Sequence, residues 1–189
     1  MRIIRGQHKG KQLHLPTYFE IRPTTDFAKE ALFTILDNTY ELTDVRALDL
    51  FSGSGSLSYE LAARGCRNVT TVEKEGKYAA WIRKTAETLG FSQIKVFQAD
   101  AFNFCKRSKI KYDIIIADPP YSLPEIAEIP DHIFGNQLLS DIGILVIEHS
   151  AATKFEAHPY FKQVRNYGKV HFSFFELPQA DESENKEEA

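Results

Sequence analysis

Val45-Arg46-Ala47-Leu48-Asp49-Leu50-Phe51-Ser52-Gly53-Ser54-Gly55-Ser56 is the stretch on which the fold turns. An apolar run over Val45–Phe51 reads as a strand. Gly53 and Gly55 permit a tight turn and close backbone approach to a ligand, and Ser56–Arg64 continues as a helix. The same alternation follows downstream. Strands are expected at Val69–Glu73, Ile94–Gln98, Tyr112–Asp118 and Gly143–His149. Helices are expected at Lys77–Leu89, more weakly at 101–108, and around 124–140. Runs without polar alternation, such as Asp113-Ile114-Ile115-Ile116-Ala117, suit a parallel sheet covered on both faces. Gln163–Tyr167 and Val170–Leu177 flank the tight turn Gly168-Lys169 and should pair antiparallel. The expectation is an α/β, doubly wound sheet, mostly parallel, with an antiparallel C-terminal hairpin and helices on both faces.

Ahead of this body, Ile3–Leu15 reads as a β-hairpin turning at Gln7-His8-Lys9-Gly10. In Arg22-Pro23-Thr24-Thr25-Asp26, Pro23 extends Arg22, and one of the residues after it caps a helix reaching about Asn38. The expected organisation is a basic hairpin extension over 1–20, a body over 21–178, and an acidic, disordered tail over 179–189. Its last nine residues, DESENKEEA, hold five acids and one lysine, so the remainder carries 22 basic and 21 acidic side chains. The chain as a whole, at 189 residues with net charge −3, hides a neutral body with a basic head. An apolar fraction of 43% and 12% aromatics suit a dense soluble core. No run approaches the roughly 18 apolar residues of a membrane span, and the N-terminus lacks a signal-like apolar region. Cys66 and Cys105 are too few for a disulfide framework or a four-cysteine zinc site. They read as reduced thiols of a cytoplasmic protein, with no metal expected.

Ligands of such sheets gather at the carboxyl ends of the strands. Three acids stand there. Asp49 ends the first strand just before the glycine turn, where it would repel a pyrophosphate but suit a cation. Glu73 ends the second and could accept both hydroxyls of a ribose. Asp100 follows the third. This arrangement resembles class I S-adenosylmethionine-dependent methyltransferases, whose cofactor carries a positive sulfonium and amino group. The resemblance implies a Rossmann-like fold and S-adenosylmethionine held by Asp49, Phe51, Gly53, Gly55, Glu73, Lys74, Asp100 and Ala101.

The fourth strand runs into Asp118-Pro119-Pro120-Tyr121. Two prolines freeze the backbone past the strand end and fix a carboxylate, carbonyls and a ring around one point. The motif is similar to the [DNS]-P-P-[YFW] signature of amino-group methyltransferases. Their target amine shares its lone pair with an aromatic ring or a carbonyl. Hydrogen-bond acceptors at its N–H groups, here Asp118 and the Pro119 carbonyl, return density to nitrogen. Tyr121 can stack on a target base turned out of its helix. The four residues form the expected catalytic set. Cytosine C5 chemistry would need a cysteine nucleophile, typically after proline, and neither cysteine is so placed.

Met1-Arg2-Ile3-Ile4-Arg5-Gly6, Lys9-Gly10-Lys11, Arg22-Pro23-Thr24-Thr25-Asp26 and Lys29-Glu30-Ala31-Leu32-Phe33 complete the picture. With the glycine turn, D-P-P-Y and Glu148-His149, they resemble the RsmD-type family of bacterial 16S ribosomal RNA guanine-N2 methyltransferases over roughly residues 1–175. Phe27 stands where that family usually has arginine, and Ser52 where alanine is common. The resemblance implies a small-ribosomal-subunit substrate, whose phosphates the basic Arg2, Arg5, Lys9 and Lys11 could grip. Arg22–Asp26 reads either as a helix start or, as the resemblance favours, as a segment folding over the cofactor or target base, with Arg22 and Thr25 as RNA-binding residues. Monomer is the default state, and no membrane partner is expected. Lys106, Arg107, Lys109 and Lys111 read as a polar loop, and His149 reads equally as a pocket residue or a satisfied core histidine. Three alternatives are an N6-adenine DNA methyltransferase, which usually carries a large target-recognition domain that 189 residues do not accommodate, a non-catalytic RNA-binding assembly factor that retains the fold, and a nucleotide-dependent oxidoreductase, which Asp49 and D-P-P-Y disfavour.

Overall fold

The structure, a computed structural model, describes residues 1–20 and 25–178. One seven-stranded sheet is built from β1 (Arg46–Leu50), β2 (Asn68–Glu73), β3 (Ile94–Gln98), β4 (Tyr112–Ala117), β5 (Leu139–His149), β6 (Phe161–Tyr167) and β7 (Val170–Glu176). Their order is β3-β2-β1-β4-β5-β7-β6. The first five strands run parallel, and β7 enters antiparallel between β5 and β6. The order reverses between β1 and β4, so the carboxyl ends of these two strands border a crevice.

Helices α1 (Asp26–Thr39), α2 (Ser56–Ala63) and α3 (Gly76–Leu89) cover one face. The other face carries α4 (Ala101–Arg107) and α5 (Ile129–Gly135). Successive residues of a strand therefore serve different cores: Ile114 and Ile116 pack with α1 to α3, Ile115 and Ala117 with α4 and α5. All four are fully buried, which is why this run shows no polar alternation.

Two stretches depart from the sequence expectation. The helix expected around 124–140 is a 3-10 turn over Pro124–Glu128 followed by α5. Pro124 and Pro130 each sit in the first turn of their element, where a missing N–H costs nothing. β5 starts at Leu139, not Gly143, because Leu139 pairs with Tyr112 while Ile144 pairs with Ile114. Ser140 to Gly143 bulge opposite Asp113, whose carboxylate accepts from Ser140 Oγ at 2.6 Å.

The N-terminal segment makes one antiparallel bridge, Arg2 with Gln12, and turns back through residues 5–10. It lies against the body. Ile3 is buried, Gln7 N–H donates to Ala63 O at 2.7 Å, and a His8 ring nitrogen meets Leu89 O at 2.8 Å. Phe19 then stacks on Tyr78 at 4.3 Å. Among the described residues no helix is long and apolar enough to cross a membrane.

Candidate active site

A cleft of about 1010 Å³ opens at the carboxyl ends of β1, β2 and β4. That volume lies at the upper end of small-molecule sites and accommodates a nucleoside-sized ligand together with a base. Every expected cofactor and catalytic residue lines it except Gly55, which is buried.

The floor is the turn after β1. Phe51, Gly53 and Gly55 have φ of 60°, 53° and 80°. At Gly55 a Cβ would stand 2.8 Å from the Tyr59 ring, so glycine is required for both reasons. Phe51 is a left-handed non-glycine residue, the kind of strain that collects at ligand sites. Its ring packs edge-on against Phe102 at 6.0 Å.

Asp49 is completely buried. One oxygen accepts from Ser58 N–H at 3.1 Å and Ser58 Oγ at 2.5 Å. The other has no hydrogen-bond partner among the described residues. Burial, opposed by the Ser58 hydroxyl and reinforced by nearby Asp118, pushes its pKa up to about 7. A buried carboxylate oxygen left bare beside a cleft fits a cationic donor entering from that cleft.

Glu73 is tied to both neighbouring loops. It accepts from Gly53 N–H and Glu75 N–H, each at 2.7 Å. Burial raises its pKa, and these two N–H groups pull it back. The carboxylate is thereby oriented, with lone pairs remaining for ligand hydroxyls. Asp100 does double service: it caps α4 through Asn103 N–H at 3.1 Å and lies 3.8 Å from Lys74 Nζ. Ala101 opens α4 below it.

Across the crevice Asp118 N–H donates to Leu50 O at 3.3 Å, and Leu123 N–H to Pro120 O at 2.8 Å. These bonds tie the proline loop to β1 and to itself. Tyr121 Oη donates to Glu148 Oε1 at 3.0 Å, and Glu148 is a nearly buried residue of β5.

The expected RNA-binding residues are not gathered at one place. Thr25 lines the cleft and caps α1 through Ala28 N–H at 3.2 Å. Arg2 pairs with Asp26 at 2.9 Å near the same rim. Arg5 pairs with Asp37 at 3.2 Å, toward the far end of α1. Lys9 and Lys11 are exposed beside the turn that docks at the carboxyl end of α3. The basic side chains thus run down one flank, away from the cleft. Arg22 lies outside the described residues, as does the acidic tail. The 106–111 cluster precedes β4, at the end of the sheet opposite the cleft.

His149 is a core residue. Its nitrogens meet Ser150 O at 2.8 Å and Ser173 Oγ at 2.7 Å, and burial lowers its pKa. Both cysteines are buried with their thiols pushed up, Cys105 to about 12, and neither lines the cleft. Among the described residues no cluster of His, Cys, Asp or Glu could hold a metal. The sequence did not point to Tyr78, Phe102, Tyr167, Lys169 and Val170 as cleft residues. The last three come from the β6–β7 turn, which wraps round to the mouth with no local motif to announce it.

The profile of the family described as Conserved hypothetical protein 95 matches residues 1–176. Two curated relatives are both named ribosomal RNA small subunit methyltransferase D. That of Buchnera aphidicola (subsp. Baizongia pistaciae) is 26% identical over 93% of this chain and 91% of its own. That of Escherichia coli K12 is 30% identical over 78% and 74%. Among solved structures, Escherichia coli yhhF, a proposed methyltransferase, superposes with a TM-score of 0.81 at 27% identity, covering 94% of this chain and 99% of that one.

Proposed function

From the premise that the chain belongs to the Conserved hypothetical protein 95 family, we propose that it methylates the exocyclic N2 amine of one guanine in small-subunit ribosomal RNA, on an assembled or partly assembled subunit. It is a class I methyltransferase and its cofactor is S-adenosylmethionine. The observation that carries the reading is the meeting of Asp49, Glu73 and Asp100 with Asp118-Pro119-Pro120-Tyr121 around one cleft. The catalytic body is residues 21–178, the hairpin of 1–20 grips RNA phosphates, and the protein works as a cytoplasmic monomer.

The cofactor supplies an electrophilic methyl on a positive sulfonium. Asp49 would present its bare oxygen to the ligand's ammonium, Glu73 would accept from the ribose hydroxyls, and Asp100 with Ala101 N–H would hold the adenine. Phe51 and Phe102 form the apolar wall. On the substrate side Asp118 and the Pro119 carbonyl would accept from the guanine amine as it attacks. The methyl–sulfur bond would break as the methyl–nitrogen bond forms, the neutral thioether would leave, and the nitrogen would give up one proton to solvent. Tyr121, anchored by Glu148, stacks against the base. Most of the rate gain is alignment of nitrogen, methyl and sulfur.

Small subunits, extracted ribosomal RNA and genomic DNA from a strain lacking the gene are incubated with labelled S-adenosylmethionine and digested to nucleosides. Label is expected in N2-methylguanosine from the subunits. Label in N6-methyladenine from DNA would overturn the substrate. Cofactor binding without label anywhere would favour the non-catalytic assembly factor.

Asp49 gives a pH dependence with a definite sign. Its pKa of about 7 lies above the free value of 3.8, so the contribution of this group to ligand-free stability is complete below about pH 4 and is lost as pH rises through 7. Binding behaves in the opposite sense, because the ammonium needs the ionised carboxylate. Cofactor affinity should therefore weaken about tenfold per pH unit below pH 7. Asp49→Asn should flatten that slope and stabilise the ligand-free protein at pH 8. Calorimetric titration from pH 5.5 to 8.5, with melting curves at both ends, checks both. A slope that persists in Asp49→Asn would assign the titration to another group.

A further inference from the structure

The mouth of the cleft carries an aromatic pair that the proposed chemistry does not use. Phe27 stands in the first turn of α1, two residues after the cap Thr25, and is 69% exposed. Its helix buries Ala28, Leu32, Phe33 and Leu36, so the core has no call on the Phe27 ring. That ring meets Tyr167 edge-on, with centroids 6.0 Å apart at 75°. Tyr167 ends β6 and lines the cleft, as do Lys169 and Val170 just past the Gly168 turn. Lys169 is exposed.

A single exposed phenylalanine needs no explanation. This one is held against a cleft-lining tyrosine from the far end of the chain, with a cation two residues beyond that tyrosine. Rings that present a face, beside a positive charge, are what unpaired nucleic acid stacks on. A base drawn into the cleft leaves its neighbour in the strand without a stacking partner, and the neighbour must lie at the mouth. We propose that Phe27, backed by Tyr167, stacks the nucleobase next to the target guanine, and that Lys169 holds the phosphate between them. The inference rests on the RNA reading of the site. It adds a residue that selects unstacked RNA outside the base pocket.

The test uses the full chain, with small subunits and extracted 16S ribosomal RNA from a strain lacking the gene. Phe27→Ala should raise KM for subunits about 5- to 100-fold, leaving kcat and cofactor affinity nearly unchanged. Phe27→Trp should retain the wild-type KM. The chain has one native tryptophan, Trp81, so emission of the variant less that of the wild type isolates the introduced indole. Quenching of that emission on adding subunits is expected, as for a ring stacked on a base. An unchanged KM in Phe27→Ala, or an indole that neither subunits nor extracted RNA quench, would overturn the proposal. So would equal quenching by small-subunit proteins freed of RNA, which would give the surface to a ribosomal protein. If the wild type methylates no RNA while the indole is still quenched by it, the guanine reading fails and the stacking surface stands.

Discussion

Asp118→Ala should leave S-adenosylmethionine affinity within about twofold of wild type and lower turnover about 10²- to 10³-fold, the scale of losing one hydrogen-bonding group aimed at developing charge. The separation of the two readouts follows from position. The proposed cofactor groups lie on the β1, β2 and β3 loops, whereas Asp118 opens the loop after β4. The backbone of that loop has its own ties: Asp118 N–H donates to Leu50 O, Leu123 N–H donates to Pro120 O, and two prolines restrict it. Tyr121 remains on Glu148. What disappears is the proposed acceptor for the amine as its nitrogen becomes positive. A secondary effect has the opposite sign, because Asp118 helps to raise the Asp49 pKa. The variant should therefore hold Asp49 ionised to slightly lower pH and bind cofactor no worse near neutrality. Single-turnover methyl transfer and calorimetry on the same preparation check this. A parallel fall in affinity and rate would place Asp118 in cofactor binding.

The lining of the cleft was legible in the sequence wherever a polar residue sits at a strand end. Asp49, Glu73 and Asp118 each close an apolar run, and a doubly wound sheet brings such ends together whatever the loops do. Asp100 was read for its place after β3, but its capping of α4 needed the helix start to be seen. Contacts between distant segments could not be read. Phe27 and Tyr167 are 140 residues apart, and neither carries a motif. Tyr121 was expected to stack on a base, yet nothing local shows that Glu148 would hold its hydroxyl. Leu139 was lost to an expected helix because the bulge at Ser140 to Gly143 breaks the strand's periodicity. The basic head was legible as composition only. Its direction, away from the cleft, depends on where residues 5–10 dock.

Glu60, a buried residue of α2 that no sequence motif marks, carries the largest expected effect on stability. Glu60→Ala should destabilise the protein by about 3–5 kcal/mol, the cost of breaking a buried ion pair from one side, out of the 5–15 kcal/mol typical of a domain. Glu60 is completely buried. Its carboxylate accepts from Ile4 N–H at 2.8 Å, Arg5 N–H at 3.0 Å and Arg64 Nε at 2.8 Å. Lys29 Nζ, almost as buried, lies 4.0 Å away and donates to Arg2 O at 2.6 Å and Ser56 Oγ at 3.1 Å. Arg64 also pairs with Asp37, which holds Arg5. One carboxylate therefore fastens the N-terminal segment to α2 and neutralises the ammonium beside the first residue after the glycine turn. Removing it strands two backbone N–H groups and an uncompensated cation. Burial already lowers the Lys29 pKa, and Glu60 is the main influence raising it, so the variant's lysine should fall further. A depressed lysine destabilises the fold at low pH, and stability returns as pH rises toward 10.5. Both proteins should gain stability as pH rises toward 10.5, and Glu60→Ala should gain more than the wild type. Combining Glu60→Leu with Lys29→Met removes both charges and should cost less than Glu60→Ala alone, because no buried ion is left unpaired. Urea unfolding at pH 7 and 9.5 measures all three. A loss below about 1 kcal/mol in Glu60→Ala would mean that water reaches the Lys29 ammonium and that the N-terminal segment is held by apolar contacts around Ile3.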